Sequence, residues 1–192
     1  MILPIVAYGH PVLRSVGKPI DKDYPGLDQL IEDMWETMYH SNGVGLAAPQ
    51  INRSIRLFVI DTVQIVEGFD DEDRAEYPDE KPVKQVFINA EVQGKTGDLW
   101  SYNEGCLSIP KVRENVKREQ RVKIRYYDED FQEHIGEFDG ITARVILHEY
   151  DHIEGKLFID HLAPLKRKLL NKKLSDISAG KVKMDYRMLY AK

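Results

Sequence analysis

Two histidines, His148 and His152, stand four residues apart in the stretch HEYDHIEG, with Glu149 beside the first. A helix over residues 139–153 places both imidazoles on one face, one turn apart, where they can offer two nitrogens to a single metal ion. Glu149 then falls about 100° round the helix. That is too far to join them comfortably as a ligand, but well placed to take a proton from a water molecule at the ion. The plainer alternative is a surface helix with two unrelated histidines, and Glu149 between them favours the metal.

Two nitrogens leave a metal short of ligands. In one class of metalloproteases the pattern runs on as H-E-x-x-H-x-x-G-x-x-H; here Gly155 is present, but Phe158 occupies the last position and cannot bind a metal. A downstream glutamate serves another class, and no glutamate follows Glu154. Asp160, His161 and Asp176 remain formal candidates in surroundings that read as surface. Upstream stands Cys106, the single cysteine, preceded by Gly105 and followed by a short apolar run ending in Pro110. A thiolate with two imidazoles is a workable set for Zn(II) or Fe(II), with one position open. Two other readings of Cys106 stay open: an inert buried thiol, or a nucleophile paired with a histidine.

The elements that must position these groups are legible in outline. Residues 1–26 carry four prolines and predict an extended segment with little regular structure. Leu30, Ile31, Met34, Trp35 and Met38 recur at helical spacing, and Asn42-Gly43 marks the stop. The small residues of Gly43–Gln50 let a backbone pass close to another group. They lack the Lys-Ser/Thr ending of a phosphate-binding loop. Residues 55–61 read as a buried strand. Residues 67–82, rich in Asp and Glu, read as a mobile acidic surface loop unable to join a core. Residues 83–92 and 99–102 read as strands leading into Glu104–Pro110, and 112–117, 122–127 and 133–138 predict an antiparallel meander. Asp139-Gly140 then turns the chain into the histidine helix. A Lys- and Arg-studded helix follows Pro164 through Leu165, Leu169, Leu170 and Leu174, and 182–189 reads as a final strand.

Composition sets the outer bounds. At 192 residues, with 42% hydrophobic residues, the chain suits one domain covering 1–192. A net charge of −5 argues against general or sequence-specific nucleic-acid binding. There is no apolar run near the ~18 residues of a membrane span, and the N-terminus lacks the pattern of a signal peptide. The expectation is a cytoplasmic protein. A lone cysteine excludes an intrachain disulfide, so packing or a metal must hold the fold.

Three stretches taken together, Gly43–Gln50 as GVGLAAPQ, Glu104–Pro110 as EGCLSIP and His148–Gly155 as HEYDHIEG, resemble the three motifs of the peptide deformylase family in the family's order. Weaker similarity extends over most of the chain, including GHPVLR from Gly9 and GKLFIDHLAPLKR from Gly155. Two features depart from the commoner pattern: Leu147 stands where many members have Gln, and 67–82 looks like an insertion. Neither touches a proposed ligand, so they bear on substrate detail and regulation rather than on the activity.

The resemblance implies an α+β fold, with antiparallel β-sheets packed around a central helix bearing the HExxH motif, an N-terminal helix and a C-terminal helix. It implies removal of the formyl group from the formyl-methionine of new polypeptides, giving formate. Cys106, His148 and His152 would be the metal ligands and Glu149 the acid–base group. The Gln50 side-chain amide and the Leu107 backbone N–H would stabilise the oxyanion. Gly45 would pair its backbone with the substrate. Gly43, Val44, Glu104, Gly105 and Arg113 are expected around the substrate, with Ile141 and Val145 lining an apolar pocket for the methionine side chain. Fe(II) is the metal expected in the cell, with zinc, nickel or cobalt as alternatives in a purified sample. The expected partners are N-formyl-methionyl nascent peptides, with ribosome contact through the basic C-terminal helix. The rival readings are a zinc endopeptidase, a noncatalytic protein with a four-ligand structural metal, and an inactive relative of the family.

Overall fold

The computed structural model describes residues 1–191. After the short strand β1 (Ile5–Val6), helix α1 (Leu27–His40) forms where the apolar period predicts it. Leu27, Ile31, Met34 and Met38 bury one stripe, and Asp28 complements the helix dipole at the start. Ser41 caps the end and Asn42 takes a left-handed φ of 55°. The chain then enters β2 (Gly45–Ala47), a 3-10 turn at Ala48–Ile51, and β3 (Leu57–Asp61).

Short helices α2 (Val63–Glu67) and α3 (Asp71–Glu76) follow, and they correct the expectation of a bare mobile loop over 67–82. Phe69 and Tyr77 pack against the main core, and Tyr77 tilts onto Trp100 with ring centroids 6.1 Å apart. Composition alone misses two aromatic anchors among many acids.

The meander is present, but its strands are longer than the sequence predicts. β4 (Lys84–Cys106) and β5 (Ile109–Tyr127) form one long hairpin, and β6 (Glu133–Asp139) pairs with β5. Register shifts after Ile88, Val92, Thr96 and Gly105 interrupt the ladder. Such bulges bend and twist a strand, so β4 follows the curved sheet while its polar middle lies exposed and hides the strand from a pattern search. Asn89, with φ of 50°, sits at one shift, and its side chain bonds both Ile20 N and Ile20 O. That ties the N-terminal segment to the sheet, whose order is β2-β3-β4-β5-β6.

Helix α4 (Gly140–Ile153) packs against β2, β3 and β5. Eleven of its fourteen residues are buried, so it has almost no solvent face, and the charged Arg144 and Asp151 must find partners inside. Helix α5 (Pro164–Ser178) follows, with β7 (Met188–Leu189) after it. β7 is shorter than the expected 182–189 strand and pairs in parallel with β1, giving the N-terminal segment a strand not predicted for it. Of the leucines expected on one α5 stripe, Leu170 and Leu174 are buried. Leu165 and Leu169 are 71% and 75% exposed and face outward among lysines.

Candidate metal centre and active site

Cys106 ends β4 and pairs with Ile109 across the two-residue turn Leu107–Ser108. This tight turn brings the sulfur against α4, where Cys106 Sγ lies 3.2 Å from His152 Nε2. The donor atoms of Cys106, His148 and His152 all fall within 4.8 Å of one another. A thiolate and two imidazole nitrogens at this spacing, from a rigid hairpin and a buried helix, fit a tetrahedrally bound divalent metal.

Behind the ligands lies a network of buried charges. Glu104 Oε2 accepts a 2.9 Å hydrogen bond from His148 Nδ1, which leaves the Nε2 lone pair for the metal side. Arg118 forks onto both Glu104 oxygens at 2.7 and 3.0 Å and reaches Asp151 Oδ2 at 2.7 Å. Arg144 Nη1 adds a 3.0 Å contact to Glu104 Oε1. Asp151 Oδ2 also meets His161 Nε2 at 2.7 Å, so His161, at the surface as expected, joins this network from its outer edge. Burial opposes the charge on Glu104, but His148 and Arg118 hold its carboxyl well below the usual carboxylate range. Burial likewise opposes the charge on Asp151, and His161 and Arg118 bring it down to about 2.

Burial alone would raise the Cys106 thiol, yet the two histidines lower it to about 5, which favours thiolate at neutral pH. Glu149 is 4% exposed, and burial pushes its carboxyl up to about 7 against the pull of His148 and His152. Its Oε2 is buried without a hydrogen-bond partner. A carboxylate so placed can accept a proton from a molecule entering the cleft.

Gln50, in the turn after β2, is 1% exposed. Its Oε1 accepts the Ala47 N–H at 2.8 Å, which turns the amide nitrogen toward Ser108 Oγ at 3.4 Å and Cys106 Sγ at 3.5 Å. The side chain therefore presents a donor beside the sulfur. Gly45 cannot be larger without moving Glu149, since a Cβ there would lie 2.5 Å from Glu149 Oε1. Gly43 has the same relation to Leu107, 2.8 Å from its Cδ1.

These groups open into a cavity of about 460 Å³. Gly43, Val44, Gly45 and Gln50 line one side, and Ile141, Val145, His148 and Glu149 of α4 form another. Glu104, Gly105, Cys106, Leu107 and Arg113 complete the hairpin side. Arg113 lies across Gly105 at the rim, held by Asn103 at 2.8 and 2.6 Å. Glu104 lines the cavity, and its carboxylate oxygens are engaged by His148 and two arginines.

The sequence reading missed Tyr102 and Tyr186, which line the cavity, and Arg118, Arg144 and Asp151 of the buried network. Arg118 shares strand parity with buried Val112, Val116 and Val122, and that inward charge was a usable signal. Tyr186 reaches the cavity from beyond α5, where its hydroxyl donates to Leu107 O at 2.8 Å, and no local pattern marks it.

A mixed helix and antiparallel-sheet fold, with H-E-x-x-H on its buried helix facing a lone thiol in an open cleft, has the parts of a metal-dependent hydrolase. The polypeptide deformylase family model matches residues 2–168. A peptide deformylase of Flavobacterium johnsoniae is 54% identical over 193 residues, covering 100% of this chain and 97% of its own length. One from Christiangramia forsetii is 50% identical, covering 99% and 96%. The crystal structure of a peptide deformylase from Legionella pneumophila superposes with a TM-score of 0.79 at 35% identity, covering 96% of this chain and 99% of that one. The chain belongs to the peptide deformylase family, whose members remove the N-terminal formyl group from nascent polypeptides. It is a metal-dependent hydrolase of protein biosynthesis, and no helix among the described residues is long and apolar enough to cross a membrane.

Proposed function

We propose that Cys106, His148 and His152 hold the catalytic metal and that Glu149 moves the proton in deformylation of formyl-methionyl chains. The observation that carries this reading is the buried Glu149 carboxylate in the same cleft as the three clustered donors. A divalent cation held there supplies Lewis acidity toward water and the formyl carbonyl. Glu149 takes a proton as water adds to the formyl carbon, then delivers it to the departing nitrogen so that formate and a free amine result. The Gln50 amide N–H and the Leu107 backbone N–H stabilise the oxyanion.

β2 is an edge strand, and the backbone of Gly45 in it pairs with the extended substrate. Val44, Ile141 and Val145 take the methionine side chain, Gly43 and Gly105 leave room for the chain, and Arg113 sits at its exit. The soft thiolate with two imidazoles suits zinc by ligand preference, and the likeness to the family supports Fe(II) as the cellular metal, with zinc, nickel or cobalt taken up in purified protein. Residues 1–192 work as one catalytic domain in the cytoplasm, with 67–82 as an inserted segment. α5, with exposed Lys166, Lys168, Lys172 and Lys173, meets the ribosome.

The test is formate release from a formyl-Met peptide under anaerobic conditions, with metal analysis of the same sample and a matched unblocked peptide alongside. Formate with an uncut chain supports the reading. Cleavage of an internal bond in the unblocked peptide would establish an endopeptidase instead.

A further inference from the structure

The acidic segment ends in a contact that the reaction described above does not use. Helix α4 begins at Asp139-Gly140, and Asp139 makes no side-chain capping bond. The first N–H groups of a helix need acceptors from elsewhere. Glu80, sixty residues upstream, supplies them: its Oε2 accepts Ile141 N–H and its Oε1 accepts Thr142 N–H, both at 2.8 Å. A carboxylate at this end also complements the positive pole of the helix dipole.

Neighbouring bonds reinforce the contact. Thr142 Oγ1 donates to Lys81 O at 3.0 Å and lies 2.9 Å from Thr62 Oγ1, which in turn accepts Val83 N–H at 2.9 Å. Gly140 has φ of +57°, and a Cβ there would stand 2.2 Å from Glu80 Oε2. Glycine thus lets the carboxylate reach the helix end.

The residue held by this clamp is Ile141, 2% exposed and part of the cavity wall. His148 lies about two turns further along, anchored by Glu104 in the buried network, with Glu149 beside it. Loosening the first turn should therefore disturb the wall more than the reacting groups. We propose that Glu80 is a positioning residue for substrate binding, holding the first turn of α4 so that Ile141 keeps its place in the pocket. This rests on the reading of that pocket as the methionine site.

The test is steady-state deformylation of a formyl-Met tripeptide by the metal-loaded wild type, Glu80→Ala, Glu80→Gln and Ile141→Ala, with metal content and melting temperature measured on each. Glu80→Ala should raise KM about 3- to 10-fold, the effect of losing a helix cap, with kcat within about twofold and metal content unchanged. Glu80→Gln should recover part of the loss, since an amide oxygen still accepts one N–H, and it stands as the test variant if Glu80→Ala fails to fold. Ile141→Ala should also raise KM. An unchanged KM in both Glu80 variants, with Ile141→Ala raised, overturns the inference and leaves the pocket reading standing. Unchanged KM in all three overturns the pocket reading and the inference with it. A fall in kcat or melting temperature at constant KM in the Glu80 variants makes Glu80 a purely structural cap and also overturns the inference.

Discussion

Glu104 Oε2 and His148 Nδ1 stand 2.9 Å apart, so a carboxylate gripped by Arg118 and Arg144 fixes the tautomer and ring plane of a proposed metal ligand. Glu104→Gln should weaken metal affinity by roughly 10- to 100-fold, the usual cost of losing such a support. Competition with a chromogenic chelator measures it, and unchanged affinity would reduce Glu104 to a partner of the arginines.

Glu149→Gln should keep its metal and lose roughly 10²- to 10⁴-fold in kcat, because a positioned base is removed while shape is retained. The pH profile carries a sign as well. Glu149 must be ionised to accept a proton, so kcat/KM should fall as pH drops through its pKa. Burial sets that pKa at about 7, and a bound cation lowers it. The acid limb is therefore expected at or below about pH 7 and should vanish in the residual activity of the Gln variant.

Cys106→Ala should lose the metal on dialysis, since two imidazoles alone make a poor site. Elemental analysis before and after dialysis checks this. Full retention would remove the sulfur from the ligand set.

Gln50→Ala should lower kcat by roughly 10²-fold or more with metal content intact, as expected for one oxyanion donor. A change confined to KM would assign Gln50 to substrate binding instead.

Replacing Lys166, Lys168, Lys172 and Lys173 of α5 by Glu should abolish co-sedimentation with ribosomes at low salt and leave deformylation of a free tripeptide unchanged. The reason is electrostatic: a basic face binds polyanionic RNA through charge, and added salt screens it. Equal sedimentation of both forms would send the ribosome contact elsewhere.

What the sequence determined by itself is whatever depends on local period. His148 and His152 share a face because four residues make one helical turn, and α1 follows its apolar stripe for the same reason. The resemblance in three short motifs carried the family and the activity, because those stretches hold the reacting groups.

Only the tertiary structure decided the rest. Local reading left open what faces the two histidines, since the meeting of Cys106 with residues more than forty positions away depends on where the β4–β5 hairpin turns. Arg144 and Asp151 are forced to pair only because α4 is buried on nearly every side, which sets them against Glu104 and Arg118 of the hairpin. The acidic 67–82 stretch looked like solvent-exposed loop by composition. Yet Glu80 lies against the start of α4, because a helix end draws a carboxylate by position in space and leaves no periodic trace in the chain.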